Sequence, residues 1–152
     1  TLYKNIIPFI RKIKEIGFKV KIDTNGSKPF ILKELIEENL IDYVALDFKA
    51  LPSTFKKTTQ SDLFKEFEES LQLLLKAPIK FEVRTTVHSD LINENDFLNM
   101  IGYLEKTGYE GNYYIQHFIN DVPTLKSLGY SNKQLKTKDF STSKIQVLFR
   151  DN

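Results

Sequence analysis

Residues 17–26 read GFKVKIDTNG and combine the end of a helix, a strand and a turn. Gly17 suits the left-handed position that follows many helices, because glycine has no Cβ. Across residues 18–23 apolar side chains alternate with polar ones, which is the two-residue period of a strand. The polar run Asp23–Gly26 then favours a turn. This stretch therefore predicts a junction from helix to strand, the connection from which α/β folds are built.

The same alternation of helix and strand continues on both sides of this stretch. Upstream, apolar residues recur three and four positions apart, as on one face of a helix, at Leu2, Ile6, Phe9, Ile13 and Ile16. Downstream, the pattern predicts helices that begin near Pro29, Ser61 and Asn93 and strands over residues 43–48, 79–87 and 113–118. Because no hairpin signal separates the strands, we expect right-handed crossovers and a parallel sheet. The predicted class is α/β.

After the fourth predicted strand the pattern is weaker. Residues 123–128 are compatible with a short helix, and residues 131–143 are polar and rich in lysine. Apolar residues at alternate positions in 145–149 predict a last strand. We therefore expect βα units over about residues 1–118 and a C-terminal tail over residues 119–152.

The composition limits the classes of function. The chain has 152 residues, 41% of them hydrophobic, which is enough for one buried core and predicts a single domain. Its 22 Lys and Arg and 20 Asp and Glu residues are interspersed, so nothing indicates binding to nucleic acid or to a membrane surface. No apolar run approaches the roughly 18 residues that span a bilayer, and we expect a cytoplasmic location. Since the chain has no cysteine, it contains no disulfide, thiolate nucleophile or cysteine ligand for an iron–sulfur cluster.

Polar side chains follow each of the first four predicted strands. In a parallel α/β sheet, ligands bind at the carboxyl ends of the strands, so these are the candidate site residues. They are Asp23, Thr24 and Asn25 after the first strand, Asp47 and Lys49 after the second, Arg84, Thr85, Thr86 and His88 at the third, and Gln116 and His117 at the fourth. Two carboxylates, an ammonium and a guanidinium could together hold a zwitterion or a hydrated cation.

Each of these residues also has a purely structural interpretation. Asn25-Gly26 is a common turn dipeptide, and Asp23 could cap the following helix. Asp47 and Lys49 lie two apart, on the same side of a strand, and could form a structural ion pair. Arg84 could serve only to neutralise Asp47, and each histidine taken singly is more often a packing residue than a ligand. The residue types alone leave both interpretations open.

Three segments carry a resemblance to a known family. Residues 17–26 (GFKVKIDTNG), 42–50 (DYVALDFKA) and 81–87 (FEVRTTV) resemble the radical S-adenosylmethionine activating enzymes of glycyl radical enzymes. They are most similar to anaerobic ribonucleoside-triphosphate reductase activating proteins, and pyruvate formate-lyase activating enzymes share the pattern. The match runs from about residue 1 to residue 117 in the same order and spacing. It implies a partial parallel (β/α) barrel of the radical S-adenosylmethionine type whose N-terminal strands are missing.

The resemblance also implies roles for individual residues. A monovalent cation next to the carboxylate of S-adenosylmethionine would be held by Asp23, Thr24, Asp47 and the backbone carbonyl of Ala45. S-adenosylmethionine itself would be contacted by Lys49, by Arg84 and, at a more loosely matched position, by His117. The resemblance thus implies that S-adenosylmethionine is the ligand of the predicted cluster of ionic groups.

Two family motifs are absent from these 152 residues. The CxxxCxxC loop that binds the 4Fe-4S cluster does not occur, nor does the Gly-Gly-Glu segment that binds the methionine amino group. We therefore expect a truncated, catalytically inactive part of an enzyme, with no catalytic residue of its own. The complete enzyme would take electrons from flavodoxin or ferredoxin and generate a radical on a glycyl radical enzyme. The alternative is a non-catalytic α/β module, binding a small ligand or a protein, that lost the cluster in evolution.

Overall fold

The computed structural model describes residues 5–120, 128–131 and 140–150. Within these ranges the helices are α1 (Ile6–Glu15), α2 (Pro29–Glu37), α3 (Pro52–Thr59), α4 (Phe64–Lys76) and α5 (Glu94–Lys106). The strands are β1 (Lys21–Thr24), β2 (Tyr43–Asp47), β3 (Lys80–Val87), β4 (Gly111–His117) and β5 (Ile145–Arg150). The strands form one parallel sheet in the order β1-β2-β3-β4-β5. The predicted α/β class and the parallel sheet are confirmed.

The described helices are all too short or too polar to cross a membrane. The chain divides into two compact units. The first comprises Thr1–Phe48 and Ser61–Val83, and the second comprises Lys49–Gln60 and Arg84–Asn152. Strands β1 and β2 pair within the first unit, and β4 and β5 pair within the second.

The core of the first unit is built around β2. Val44, Ala45 and Leu46 are fully buried on both faces of that strand, as the short apolar run predicted. Helix α2 and helix α4 supply the apolar side chains that cover this part of the sheet, at Leu32, Leu35, Phe67, Leu71 and Leu74.

Helix α1 buries a different face from the one that its apolar spacing defines. Ile7 and Ile10 are buried, whereas Phe9 and Ile16, on the predicted apolar face, are 59% and 71% exposed. Strand β1, which follows this helix, is an edge strand of the described sheet. Leu2, the first residue of the predicted helix face, lies outside the described residues.

Most of the predicted helix ends are confirmed. Gly17 and Gly108 have φ angles of +85° and +88°, which a glycine adopts without strain. Asn93 forms a full capping box with Asp96 at the start of α5. Ser61, however, does not cap α4: the N-cap residue is Leu63, and the first helical residue is Phe64.

The strands differ from prediction mainly at their ends. Strand β1 begins at Lys21 and not at Phe18, and the predicted last strand is present as β5. Residues 123–127 of the helix predicted over 123–128 lie outside the described residues, and so do residues 132–139 of the polar tail. Helix α3 had no counterpart in the prediction.

The second unit has its own aromatic core. Phe97 of α5 stacks on Tyr113 of β4 with ring centroids 5.4 Å apart, and it meets Phe140 edge-on at 5.1 Å. The hydroxyl groups of Tyr113 and Thr85 share a hydrogen bond of 2.6 Å. Because Tyr113 is completely buried, its pKa is raised well above the usual tyrosine value.

Candidate functional site

The register of β1 and β2 brings two of the predicted carboxylates to one face. Asp23 pairs with Ala45, and Thr24 pairs with Leu46. Side chains alternate along a strand, so Asp23, Ala45 and Asp47 share one face of this ladder. The side chain of Asp23 is 48% exposed, and Asp47 is half-buried at the end of β2. Two carboxylates therefore lie at the carboxyl ends of neighbouring parallel strands, as predicted.

The side chain of Thr24 belongs to the opposite face and to the turn that follows β1. Its hydroxyl oxygen accepts a hydrogen bond of 3.1 Å from the backbone N–H of Gly26. The side-chain oxygen of Asn25 accepts a bond of the same length from the N–H of Ser27. These bonds fix the turn in the way that such side chains commonly do. The structural interpretation of Asn25-Gly26 as a turn is thus confirmed.

Gly26 packs closely against the start of α4. The hydroxyl of Ser70 donates a hydrogen bond of 2.7 Å to the carbonyl of Gly26. A Cβ on Gly26 would lie 3.1 Å from the Cα of Phe67 and 3.2 Å from Cδ1 of Leu46. With φ at +73°, this position needs glycine both for the conformation and for the space. The turn after β1 is therefore closely packed against helix α4.

A polar cluster on the Asp23 face was missed by the reasoning from sequence. The ammonium of Lys21 lies 3.5 Å from Oδ1 of Asp23 and 3.8 Å from Oε1 of Glu82. The hydroxyl of Tyr43 donates a hydrogen bond of 2.9 Å to Oε2 of Glu82, and Glu82 is only 3% exposed. The sequence contained one signal for this cluster: Lys21 and Asp23 lie two residues apart on a strand, so their side chains share a face. The partnership with Glu82 joins residues far apart in the chain, so no local pattern reveals it.

The predicted site residues of the second unit do not share one face. The hydrogen bond between Thr85 and Tyr113 places these two side chains together, so the neighbouring Arg84 lies on the other face. Alternation along β4 puts His117 on the Tyr113 face, where it stacks on Phe149 at 5.9 Å. Lys49 is half-buried just after β2. The roles of Lys49, Arg84 and His117 toward S-adenosylmethionine stay predictions.

His88 has a structural role. It is 2% exposed, its Nδ1 accepts the backbone N–H of Asp90 at 3.1 Å, and its Nε2 lies 3.0 Å from the carbonyl of Gly129. Since Nδ1 is the acceptor, Nε2 carries the hydrogen that Gly129 accepts. Both ring nitrogens are thereby used in tying residues 88–90 to Gly129, which supports the interpretation of His88 as a packing residue.

The described side chains form neither a thiolate site nor a cluster of three or more carboxylate or imidazole ligands. Within residues 5–120, 128–131 and 140–150, no group of three or more histidine, aspartate or glutamate side chains is arranged to hold a metal ion. The sequence has no cysteine, so it offers no thiolate to a 4Fe-4S cluster. Within the cation set implied by the resemblance, the hydroxyl of Thr24 lies on the face away from Asp23, and the role of the set stays a prediction.

The chain is similar to a known protein over part of its length. No protein-family model matches the chain. A protein of Methanocaldococcus jannaschii, provisionally named a glycyl-radical enzyme activating enzyme, is 36% identical to the chain over 102 residues. The match covers 63% of this chain and 42% of that protein, so the chain spans less than half of that relative's length. Over the matched part, the chain is therefore similar to a protein named as an activating enzyme of glycyl radical enzymes.

Proposed function

We propose that this chain is part of a radical S-adenosylmethionine activating enzyme and that the strand face bearing Asp23 and Asp47 helps to bind S-adenosylmethionine. The observation that carries this proposal is the register of β1 and β2, which places both carboxylates on one face at the carboxyl ends of adjacent strands. S-adenosylmethionine carries positive charge on its sulfonium and amino groups. The ligand also carries a carboxylate, so a face with two carboxylates and the ammonium of Lys21 suits it.

The complete protein would then cleave S-adenosylmethionine reductively and generate a glycyl radical on a partner enzyme. The similarity to the M. jannaschii protein supports the activating role. The three motif segments favour anaerobic ribonucleotide reductase as the partner, with flavodoxin or ferredoxin as the electron donor and the cytoplasm as the location. Because these 152 residues include no cysteine, thiolate ligands for the cluster would have to come from elsewhere. The contribution proposed for this chain is to bind and orient the cosubstrate.

Substitution of Asp47 tests the proposed binding face. We expect Asp47→Ala to weaken S-adenosylmethionine binding by the full-length gene product roughly 30-fold, which corresponds to about 2 kcal/mol for truncating one member of a charged set. The measurement is the dissociation constant from anaerobic isothermal titration calorimetry.

The matched control is Arg11→Ala. Arg11 also pairs with a carboxylate, that of Glu38 at 2.6 Å, but this ion pair is on the exposed surface of α1. Exposed pairs contribute little, so we expect the affinity of this variant to equal that of the wild type. Equal affinities for the Asp47→Ala and Arg11→Ala variants would show that the strand face is scaffold and that the proposed role is wrong.

A further inference from the structure

The Asp23 carboxylate already has a cation beside it, supplied by the protein. Lys21 and Asp23 lie two apart on β1 and so on the same face, and the ammonium of Lys21 is 3.5 Å from Oδ1 of Asp23. Both side chains are about half exposed. This contact lies at the carboxylate at which the family resemblance implies a monovalent metal ion.

Buried groups behind Lys21 hold its side chain on this face. Glu82 is almost fully buried, and a buried carboxylate is costly unless polar or positively charged groups surround it. It accepts the hydrogen bond of Tyr43 at 2.9 Å and lies 3.8 Å from the Lys21 ammonium. Lys21 therefore has a fixed negative partner on its inner side and Asp23 on its outer side.

The ring of Tyr43 adds a third contact. The Lys21 ammonium lies 5.8 Å from its centroid, within the range at which an aromatic ring attracts a cation. Lys21 and Tyr43 are paired in the register of β1 and β2, so the strands themselves set this approach. The three contacts limit the freedom of a side chain that is otherwise long and flexible.

We infer that the ammonium of Lys21, backed by Glu82 and Tyr43, supplies the positive charge at Asp23 in place of a monovalent metal ion. The inference rests on the proposed function, because it concerns the same binding face. An ammonium group and a potassium ion carry the same charge and are similar in size, so the two compete for one carboxylate. Lys21 is a positioning residue on this account: it neutralises and orients Asp23. Binding of S-adenosylmethionine then needs no added K⁺ or Na⁺.

The test compares cation dependence in the wild type and in Lys21→Met. The dissociation constant of S-adenosylmethionine is measured with the full-length gene product in potassium, sodium or tetramethylammonium chloride at constant ionic strength. For the wild type we expect the same value in all three salts. For Lys21→Met we expect binding about tenfold weaker in tetramethylammonium than in potassium, an ordinary size for the coupling between two bound ligands. A wild type that needs potassium as strongly as Lys21→Met would overturn the inference.

Two further variants test whether the effect depends on a positive charge at position 21 or only on the overall charge of the protein. Lys21→Arg keeps a positive charge and should remain independent of potassium. Lys33→Met removes a lysine of similar exposure that pairs with Glu37 at 3.6 Å on α2, and it too should remain independent. Potassium dependence in Lys33→Met would attribute the effect to overall charge and would overturn the inference.

A second measurement does not require S-adenosylmethionine. Potassium should raise the melting temperature of Lys21→Met and leave that of the wild type unchanged, because only the variant has a vacated cation position. The inference fails if potassium stabilises the wild type or stabilises neither protein. If Asp23→Asn binds S-adenosylmethionine as tightly as the wild type, the proposed function fails instead, and the melting experiment still decides the role of Lys21.

Discussion

At the scale of single residues, the reasoning from sequence succeeded where a residue type has one dominant physical use. Gly17 and Gly108 end helices because glycine accepts a positive φ. Asp23 and Asp47 could be placed at one edge because parallel strands end together. The sequence could not reveal that Glu82 meets Lys21, because that contact depends on the distance between strands. Nor did it place the hydroxyl of Thr24 on the other face, because the strand was predicted to end at Asp23 and in fact includes Thr24.

Gly26 offers a test of close packing at a single residue. We expect Gly26→Ala to lower the free energy of unfolding by about 2 to 4 kcal/mol, from backbone strain together with overpacking against Phe67 and Leu46. The control is Gly17→Ala, since Gly17 has a similar φ but no atom within 4 Å of an added Cβ. The free energy of unfolding of that variant should fall by only about 1 to 2 kcal/mol, because it adds backbone strain without overpacking. Urea denaturation measures both, and equal losses would contradict the packing argument.

At the scale of elements, prediction worked best for those with several buried apolar residues. Helix α5 combines a capping box with a periodic apolar face, and both are visible in sequence. Helix α3 buries only Phe55 and contains three threonines, so it has neither a periodic face nor high helix propensity. The start of α4 was placed too early, at Ser61, because a capping residue type was available there while the helix itself begins at Phe64.

Asp42 joins three elements and makes their connection dependent on pH. Its carboxylate accepts hydrogen bonds from the Lys14 ammonium on α1 at 2.9 Å and from the N–H of Val20, before β1, at 2.7 Å. The hydrogen bond from Lys14 is the largest cause that holds the pKa of Asp42 below its usual value, and the bond from Val20 is the next. A lowered pKa in the folded state means that stability is present at neutral pH and is lost on acidification through that pKa.

We therefore expect Asp42→Asn to be less stable than the wild type at neutral pH. The difference in the free energy of unfolding should shrink as the pH falls from the usual aspartate range through the lowered pKa of the folded protein, because the wild type loses its ionised carboxylate there. Urea denaturation at a series of pH values measures it. A difference that stays constant from neutral to acidic pH would contradict the role assigned to the ionised carboxylate.

At the scale of the whole molecule, α1 and the residues that lead into β1 carry exposed apolar side chains. Phe9, Ile16 and Phe18 are each more than half exposed there. Strand β1 is an edge strand, and an open edge with apolar neighbours favours association. The sequence indicated both the strand and the apolar face of the helix, but not that the face would remain exposed.

We expect the 152-residue chain to self-associate through these exposed side chains. In sedimentation velocity, the weight-average sedimentation coefficient should rise with concentration for the wild type and much less for the double variant Phe9→Ser, Ile16→Ser. Phe30→Ser is the control, because Phe30 is a comparably exposed aromatic residue on α2. A strictly monomeric wild type, or an equal effect of Phe30→Ser, would contradict this assignment.

The order of the strands in the sheet also bears on how the chain acquires its structure. Each strand lies next to the strand that precedes it in the chain, from β1 through β5. During synthesis, which proceeds from the N-terminus, every new strand therefore emerges after its neighbour has already left the ribosome. None of the five described strands has to wait for a distant later segment or to be inserted between two that are already paired. The sheet can grow by successive addition at one edge, with a loop of moderate length closed at each step.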